Sequence, residues 1–331
     1  MNLPDGIPPW HEAPWERLQA QLRQRRLSHA LLLAGPRGLG KTAFANVLTA
    51  NLLCDQPTAH GPCGTCRGCT LVAAGSHPDM RRVGLEGESR QVRIGSIRAL
   101  VEFISLKSQY GGRRVGFIQP ADQMNRSAAN SLLKTLEEPP EGAILILVAD
   151  RAARLPATVR SRCHRLEFQV PPAETALEWL QGETGIPVAR LRRLLALAGG
   201  APGKVAGLAE QDADRLHERL LQQMSAIAGG KESAVRAAGT WGKDSHPLLL
   251  ELLIVTTQAL IRRAAAGPGQ DDAVTQLEEL PARLDIMSLH AYLDFLYSLV
   301  GLGDRAFNPE LYAEDLFIRW REVCHGNTAT A

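Results

Sequence analysis

The chain has 331 residues, of which 45% are hydrophobic and 22% are charged, and its net charge is +2. This length is enough for two or three domains with a sizeable core. The small net charge excludes a bulk electrostatic attraction to DNA or to a membrane surface, so any nucleic-acid contact must come from a local patch or from partner chains. Prolines and acids precede the first apolar run, so we predict no signal peptide, no membrane partner and a cytoplasmic location.

The first half of the chain alternates short apolar runs with helical patterns. This alternation is typical of an α/β domain in which a parallel sheet is flanked by helices. Helices are predicted over 41–53, 94–106 and 126–136. Strands are predicted at Ala30–Ala34, Arg114–Ile118, Ile144–Val148 and His164–Phe168.

Beyond residues 170–172 the sequence has no strand signals, only amphipathic helical stretches separated by Gly and Pro breaks. Helices are predicted over 175–181, 188–198, 213–227, 247–265, 288–302 and 309–323, with a loop over 264–272. The most apolar stretch, 247–261, is too short for a membrane span and contains Glu251, so it is interpreted as a buried helix. We therefore predict an α/β domain of nucleotide-binding type over 1–168, a small helical lid over 169–207 and a helical domain over 208–331.

A phosphate-binding loop is predicted from the sequence GPRGLGKT, which matches G-x-x-x-x-G-K-[ST] at every position. It falls between a predicted strand and a predicted helix, which is the context that such a loop requires. Its backbone N–H groups would surround the phosphates of ATP or ADP, Lys41 would reach the β- and γ-phosphates, and Thr42 would hold Mg²⁺. The candidate nucleotide ligands are Gly35, Pro36, Arg37, Gly38, Leu39, Gly40, Lys41 and Thr42.

Hydrolysis requires acids that the sequence does not supply. The predicted strand RVGFI is followed by Gln119 and Pro120, where an acid for Mg²⁺ and a second acid for water activation are expected. Asp122 lies two residues further on, and this shift moves it off the strand end. Gly203 stands where a lid Arg or Lys should touch the γ-phosphate, with Lys204 one residue later. The sequence leaves nucleotide binding open and predicts no efficient hydrolysis.

An insertion after the first predicted helix contains four cysteines spaced C-x8-C-x2-C-x2-C. Two-residue gaps bring successive thiolates to one tetrahedral centre, and four sulfurs leave no open position, so a structural Zn²⁺ is predicted. The alternative is free or disulfide-linked cysteines, which the expected reducing compartment disfavours. His60 and His77 flank the cluster and could substitute as ligands, whereas Cys163 and Cys324 are assigned to packing. The predicted metal ligands are Cys54, Cys63, Cys66 and Cys69.

The segment TVRSRC, residues 158–163, lies between two predicted strands and away from Lys41. An arginine at such an edge can enter the nucleotide site of a neighbouring subunit, as a finger supplied in trans. The alternative for Arg160 and Arg162 is a surface or capping role, and the segment alone does not decide between the two. Two basic clusters favour a solvated helix face over a DNA site, and direct DNA contact by this chain stays open. They comprise Arg23, Arg25, Arg26, Arg190, Arg192 and Arg193.

The chain resembles the clamp-loader subunits of bacterial DNA polymerase III, which belong to the AAA+ family. The resemblance rests on four ordered motifs and covers essentially the whole chain: GPRGLGKT, the cysteine insertion, ANSLLKTLEEPP and RSRC. LLKTLEEPP followed by SRC is typical of the gamma/tau and delta-prime subunits. QPAD in place of an Asp-Glu pair, with a helical C-terminus that lacks a long extension, is similar to the delta-prime type.

The resemblance implies an AAA+ domain with an inserted zinc module, a lid, and a C-terminal collar domain that joins gamma/tau and delta subunits in a hetero-pentameric ring. It implies a largely non-hydrolysing stator that helps to load the sliding clamp onto primed DNA during replication, without polymerase chemistry of its own. It also implies that Arg162 is an arginine finger for an adjacent gamma/tau subunit. Many delta-prime sequences have a degenerate phosphate loop, whereas Lys41 and Thr42 are intact here.

Two other functions are alternatives for this sequence. A gamma/tau-like motor subunit with its own ATPase activity should have Asp-Glu where this chain has Gln119 and Pro120. A small-molecule P-loop kinase would not explain the zinc insertion or the helical last third, and a fold by itself does not set a function.

Overall fold

The computed structural model describes residues 7–58, 60–87, 89–110, 112–242, 245–266, 284–300 and 309–325. The chain divides into two compact units, Met1–Trp179 and Leu180–Ala331. The three-domain division with boundaries at 168 and 207 stays a prediction. Among the described helices, none combines the length and the apolar character needed to cross a lipid bilayer.

The first unit is built on a parallel sheet with the strand order β2-β3-β4-β1-β5. The central strands β1, β3 and β4 are buried along their whole length, as expected for a parallel sheet that is covered on both faces. The strands are β1 (Ala30–Ala34), β2 (Met80–Val83), β3 (Arg114–Ile118), β4 (Ala143–Ala149) and β5 (His164–Glu167).

Helices connect these strands and cover the sheet. The α4 and α5 helices turn apolar residues such as Ile97, Leu100 and Leu132 into the core, where each is 0% exposed. The helix α5 begins at an Asn125 cap, whose side chain accepts a hydrogen bond from the Ala128 N–H. The helices are α1 (Glu12–Arg23), α2 (Lys41–Leu52), α3 (Arg67–Ala73), α4 (Ile94–Ser105), α5 (Arg126–Glu137) and α6 (Ala157–Arg160). The helix α7 (Ala173–Thr184) follows β5 and includes residues on both sides of the boundary between the two units.

The four strands predicted from apolar runs are present, and β5 ends one residue before its predicted end. The edge strand β2 was not predicted, because its sequence MRRV has two consecutive arginines in place of an apolar run. Arg82 is accommodated there because its guanidinium carbon lies 4.8 Å from the centre of the Phe117 ring. The same guanidinium donates a hydrogen bond to Asn46 Oδ1 at 2.8 Å.

The described part of the second unit is helical and contains no strand. The predicted fold class is therefore confirmed: an α/β domain with a parallel sheet and a cysteine insertion, followed by helices. The predicted helix end at 301–302 and the loop residues 267–272 lie outside the described residues. The helices are α8 (Val188–Leu197), α9 (Val205–Glu210), α10 (Ala213–Ala228), α11 (Ala234–Ala238), α12 (His246–Ala266), α13 (Ile286–Leu299) and α14 (Pro309–His325).

Trp320 on α14 is a centre of packing in the second unit. Its side chain is 0% exposed, and its indole N–H donates to the Met224 carbonyl of α10 at 2.9 Å. Its ring lies 5.9 Å from that of Tyr292 on α13, whose hydroxyl donates to the Leu316 carbonyl at 2.9 Å. Three helices therefore meet at one aromatic side chain.

Replacing Trp320 with Ala should destabilise the second unit by about 3–5 kcal/mol, because a large buried side chain leaves a cavity and a lost hydrogen bond. Urea denaturation followed by circular dichroism measures this effect. The exposed neighbour Arg321 provides the control, since Arg321→Ala should change stability by about 0.5 kcal/mol or less. Equal effects of the two substitutions would contradict this account of the packing.

Candidate functional site

The GPRGLGKT loop joins the carboxyl end of β1 to the first residue of α2. Gly40 caps α2 in a left-handed conformation with φ of 81°, which an L-residue with a side chain rarely adopts. A β-carbon at this position would also lie 2.9 Å from Cε1 of His11. His11 is itself buried, packs edge-on against Phe44 and Phe168, and has its pKa lowered to about 4 by burial. The loop is therefore packed at Gly40, where α2 begins, against the uncharged ring of His11.

Lys41, the loop lysine, is only 4% exposed and already has partners. Its ammonium donates to the Pro36 carbonyl at 2.6 Å and forms an ion pair with Asp150 Oδ1 at 2.8 Å. Asp150 directly follows β4, so its carboxylate lies at the same sheet edge as the loop. The positive charge that would meet a phosphate is paired with a carboxylate of the chain itself.

Thr42 faces the end of β3, where a metal-binding acid was expected. The side-chain amide nitrogen of Gln119 donates a hydrogen bond to the Thr42 hydroxyl oxygen at 2.6 Å. A neutral amide thus occupies the position beside the residue that would hold Mg²⁺. In the described part of the chain, Thr42 forms no hydrogen bond with a carboxylate.

Asp122 and Lys204 are each engaged elsewhere. The Asp122 carboxylate is 7% exposed, and each of its oxygens accepts a backbone N–H, from Asp150 and from Arg151, at 3.2 Å. It fixes the turn after β4. In the second unit, the Lys204 ammonium pairs with Glu251 Oε1 at 2.8 Å.

The sulfur atoms of the four cysteines in the insertion lie close together. Their sulfurs all lie within 4.8 Å of one another, and Cys54 Sγ is 3.8 Å from Cys66 Sγ. Sulfurs at the corners of a tetrahedron with Zn–S bonds of about 2.3 Å are about 3.8 Å apart, so the spacing and the soft donor set fit Zn²⁺. His77 is not part of this cluster, and its Nδ1 accepts the Asp79 backbone N–H at 3.0 Å.

Backbone N–H groups aim at the cysteine sulfurs. The N–H of Cys63 donates to Cys54 Sγ at 3.3 Å, and the N–H of Cys66 donates to Cys63 Sγ at 3.3 Å. Donors from Thr65 and Cys66 lower the pKa of the Cys63 thiol to about 6, whereas burial raises the pKa of Cys54 and of Cys69. Such N–H donors stabilise thiolates, which are the form that binds a metal.

The insertion is fixed to the end of α2 by close packing. Cys54 follows α2, and Cys66 caps α3 by accepting the Cys69 N–H. A β-carbon on Gly68 would overlap the Leu53 carbonyl oxygen, so only glycine permits this approach of α3 to α2.

The two arginines of RSRC have different environments. One guanidinium nitrogen of Arg160 faces the carbonyls of Ala152, Ala153 and Leu155 at 3.4, 3.1 and 3.2 Å. Arg160 therefore holds the turn before α6. Cys163 packs against the hydrophobic core, and burial raises its pKa to about 11.

Arg162 is 36% exposed and lies at the surface of the first unit. Its guanidinium pairs with Glu137 Oε1 at 2.6 Å, and it also donates to the Thr158 carbonyl at 3.0 Å. Glu137 is the last residue of α5, within LLKTLEEPP, so two motifs quoted from the sequence meet here.

The sheet separates Arg162 from the phosphate loop. Arg162 precedes β5 and so lies at the amino edge of the parallel sheet, whereas the loop follows β1 at the carboxyl edge. The four residues of β5 span about 13 Å at 3.3 Å per residue. Arg162 therefore lies at the sheet edge opposite the phosphate loop of its own chain.

The second basic cluster is neutralised by acids. Arg190 pairs with Asp212 at 2.8 Å and with Asp214 at 3.1 Å, while Arg193 lies 3.6 Å from Asp214. Burial works against the charged Asp214, but hydrogen bonds from Arg190 and its charge outweigh it and lower the pKa of that carboxyl. These arginines stabilise the second unit and do not form an unpaired basic patch.

Comparison with known proteins decides the family. Residues 10–172 match the family model described as "DNA polymerase III, delta subunit". The DNA polymerase III subunit delta' of Pseudomonas aeruginosa is 36% identical over 96% of this chain and 98% of that protein. The chain belongs to the DNA polymerase III delta-prime subunit family. The delta' subunit of Escherichia coli K12 is 33% identical over 94% of each chain.

The fold is also similar to the crystal structure of a DNA polymerase III gamma subunit-related protein from Thermotoga maritima. The TM-score is 0.48, at 18% identity over 94% of this chain and 99% of that one.

Two residues of interest in this family member were not found from the sequence. Asp150 could have been found, because it directly follows the apolar run of β4, where a carboxyl-edge side chain is expected. Glu137 carried no such signal. Its proximity to Arg162 depends on how α5 packs beside the turn before β5.

Replacing Arg160 with Ala should destabilise the first unit by about 1–3 kcal/mol, because three carbonyls lose a charged donor. Arg162→Ala should change stability by about 0.5 kcal/mol or less, because exposed ion pairs contribute little. Thermal denaturation followed by circular dichroism compares the two variants. A larger loss for Arg162→Ala would show that the assignments are reversed.

Proposed function

We propose that the chain is a delta-prime-like subunit of a DNA polymerase III clamp loader. In this role it is a largely non-hydrolysing stator that helps to load the sliding clamp onto primed DNA. Support comes from the family, to which relatives named DNA polymerase III subunit delta' belong. The observation that carries the proposal is the contrast between the two sheet edges: an exposed arginine at the amino edge, and a nucleotide loop without catalytic acids at the carboxyl edge.

The groups around the loop support the proposal that the chain has no efficient ATPase activity of its own. Gln119 offers Thr42 a neutral amide, so a bound Mg²⁺ would lack the carboxylate that normally holds it. Pro120 has no group that accepts a proton, and Asp122 is engaged by two backbone N–H groups. A gamma/tau-like motor function is disfavoured for the same reasons.

Arg162 is the residue we assign to catalysis in trans. A guanidinium supplied by one subunit can stabilise the charge that develops on the γ-phosphate in the site of another. The ion pair with Glu137 would hold Arg162 extended at the amino edge of the sheet until a neighbouring nucleotide replaces the carboxylate. Glu137 is thus a positioning residue.

The proposed assembly is a hetero-pentameric ring with gamma/tau and delta subunits, in the cytoplasm. In it, the AAA+ domain would comprise residues 1–168 with the zinc module at about 54–69, the lid 169–207 and the collar 208–331. DNA contact would come mainly from the assembled ring, since Arg190 and Arg193 are paired with acids.

Cys54, Cys63, Cys66 and Cys69 are the residues that would hold Zn²⁺. The ion would be structural, because four thiolates fill its coordination sphere and leave no position for substrate. Its binding energy would stabilise an insertion of α3 and loops that has little apolar core of its own.

Arg162→Ala should lower the DNA-stimulated ATPase rate of a loader reconstituted with gamma/tau and delta subunits by roughly tenfold or more, because one active site loses its finger. Assembly, measured by gel filtration, should be unchanged. Arg165→Ala is the matched control, since Arg165 is a nearby exposed arginine on β5 that pairs with Glu167 instead. An unchanged ATPase rate in the Arg162→Ala loader, with the complex intact, would contradict the proposed role of Arg162 in trans.

The purified chain should contain one zinc ion, measured by inductively coupled plasma mass spectrometry. Cys66→Ser should lose the metal and lower the melting temperature, because the vacated corner weakens the site. Cys324→Ser, outside the cluster, should retain it. Zinc-free wild-type protein after expression with added zinc, or zinc retained in Cys66→Ser, would contradict the assignment.

A further inference from the structure

The phosphate loop holds a feature that the proposed function does not use: the loop lysine is paired with a carboxylate of its own chain. The Lys41 ammonium is buried and has three N–H donors. One faces the Pro36 carbonyl and one faces Asp150 Oδ1, which leaves one for a ligand. The Asp150 side chain is 41% exposed, so its carboxylate borders solvent at the mouth of the site.

The strand order fixes the side from which Asp150 approaches. In the order β2-β3-β4-β1-β5, β4 lies between β1, which carries the loop, and β3, which is followed by Gln119. In nucleotide sites of this kind, the loop surrounds the α- and β-phosphates, and the metal-binding acid at the neighbouring strand end faces the β- and γ-phosphates. A γ-phosphate would therefore lie between Lys41 and the end of β3. This is the side on which the Asp150 carboxylate lies.

We propose that the loop is a nucleoside diphosphate site in which the Asp150 carboxylate stands in for the γ-phosphate. The backbone N–H groups of the loop and the free N–H of Lys41 would bind the β-phosphate. A triphosphate would bring its terminal negative charge against the carboxylate, and like charges at this separation repel strongly in a partly desolvated site. Asp150 thus selects ADP over ATP.

The chemistry at Thr42 is consistent with this selection. ATP normally brings Mg²⁺ that bridges its β- and γ-phosphates and needs a protein carboxylate. Gln119 supplies an amide there, and the Asp150 carboxylate is already paired with Lys41. Neither group offsets the charge of a third phosphate. The inference goes beyond the proposed function, which needs Arg162 and no nucleotide on this chain.

The test measures the ratio of the dissociation constants for ATP and ADP on the purified full chain. Isothermal titration calorimetry in buffer freed of Mg²⁺ beforehand, without a chelator that would take zinc from the cysteine cluster, keeps Mg²⁺ from masking the phosphate charge. The wild-type chain should prefer ADP by about tenfold or more. Asp150→Asn, which keeps the shape and removes the charge, should bring the two constants within about threefold, whereas Asp150→Glu should retain the preference.

Lys41→Ala should abolish binding of both nucleotides, because the ammonium that meets the phosphates is gone. Glu102→Gln removes one negative charge from the exposed face of α4, and it should leave the ratio unchanged. Because each ratio is taken within one variant, a partial loss of folded protein does not alter it. The proposal is overturned if wild-type protein does not bind ADP at millimolar concentration, if it prefers ATP, or if Asp150→Asn keeps the wild-type ratio. None of these results depends on the Arg162 experiment.

Discussion

The parallel direction of the five strands is the constraint on which both candidate sites depend. Because every strand enters from the same side, the residues that follow strands meet at one edge and those that precede them meet at the other. The phosphate loop, Gln119 and Asp150 follow β1, β3 and β4 and come together. Arg162 precedes β5 and lies at the opposite edge. One sheet therefore separates the phosphate loop from Arg162, the arginine that we propose acts on the nucleotide of another chain.

Much of this arrangement could be predicted from the sequence, because the signals are local. Buried strands such as ILILV are continuous apolar runs, and the loop and the cysteine spacing each depend on short stretches of chain. The edge strand β2 was missed, because one of its two arginines, Arg82, is stabilised by Phe117 and Asn46, which lie far away in the sequence. The predicted lack of catalytic acids remains a prediction, and the neutral Gln119–Thr42 contact is consistent with it.

The sequence could not show which partners the charged side chains have in the fold. A pattern match at GPRGLGKT is the same whether Lys41 is free or bound to Asp150, which is more than a hundred residues away. Likewise, the sequence RSRC does not distinguish the roles of its two arginines. Only the fold shows that Arg160 bonds to backbone carbonyls and that Arg162 pairs with Glu137. Ion pairs between distant segments depend on how helices pack, and their partners carry no periodic signal.

The helix α2 has the phosphate loop at one end and the first cysteine of the cluster just past the other. Its twelve residues give a helix about 18 Å long. The C-terminal end of α2 packs against α3, where Gly68 lies close to the Leu53 carbonyl. The cysteine insertion therefore restrains the end of α2, the helix whose first turn forms part of the phosphate loop. Loss of this packing would free the C-terminal end of α2, the helix that begins at Lys41.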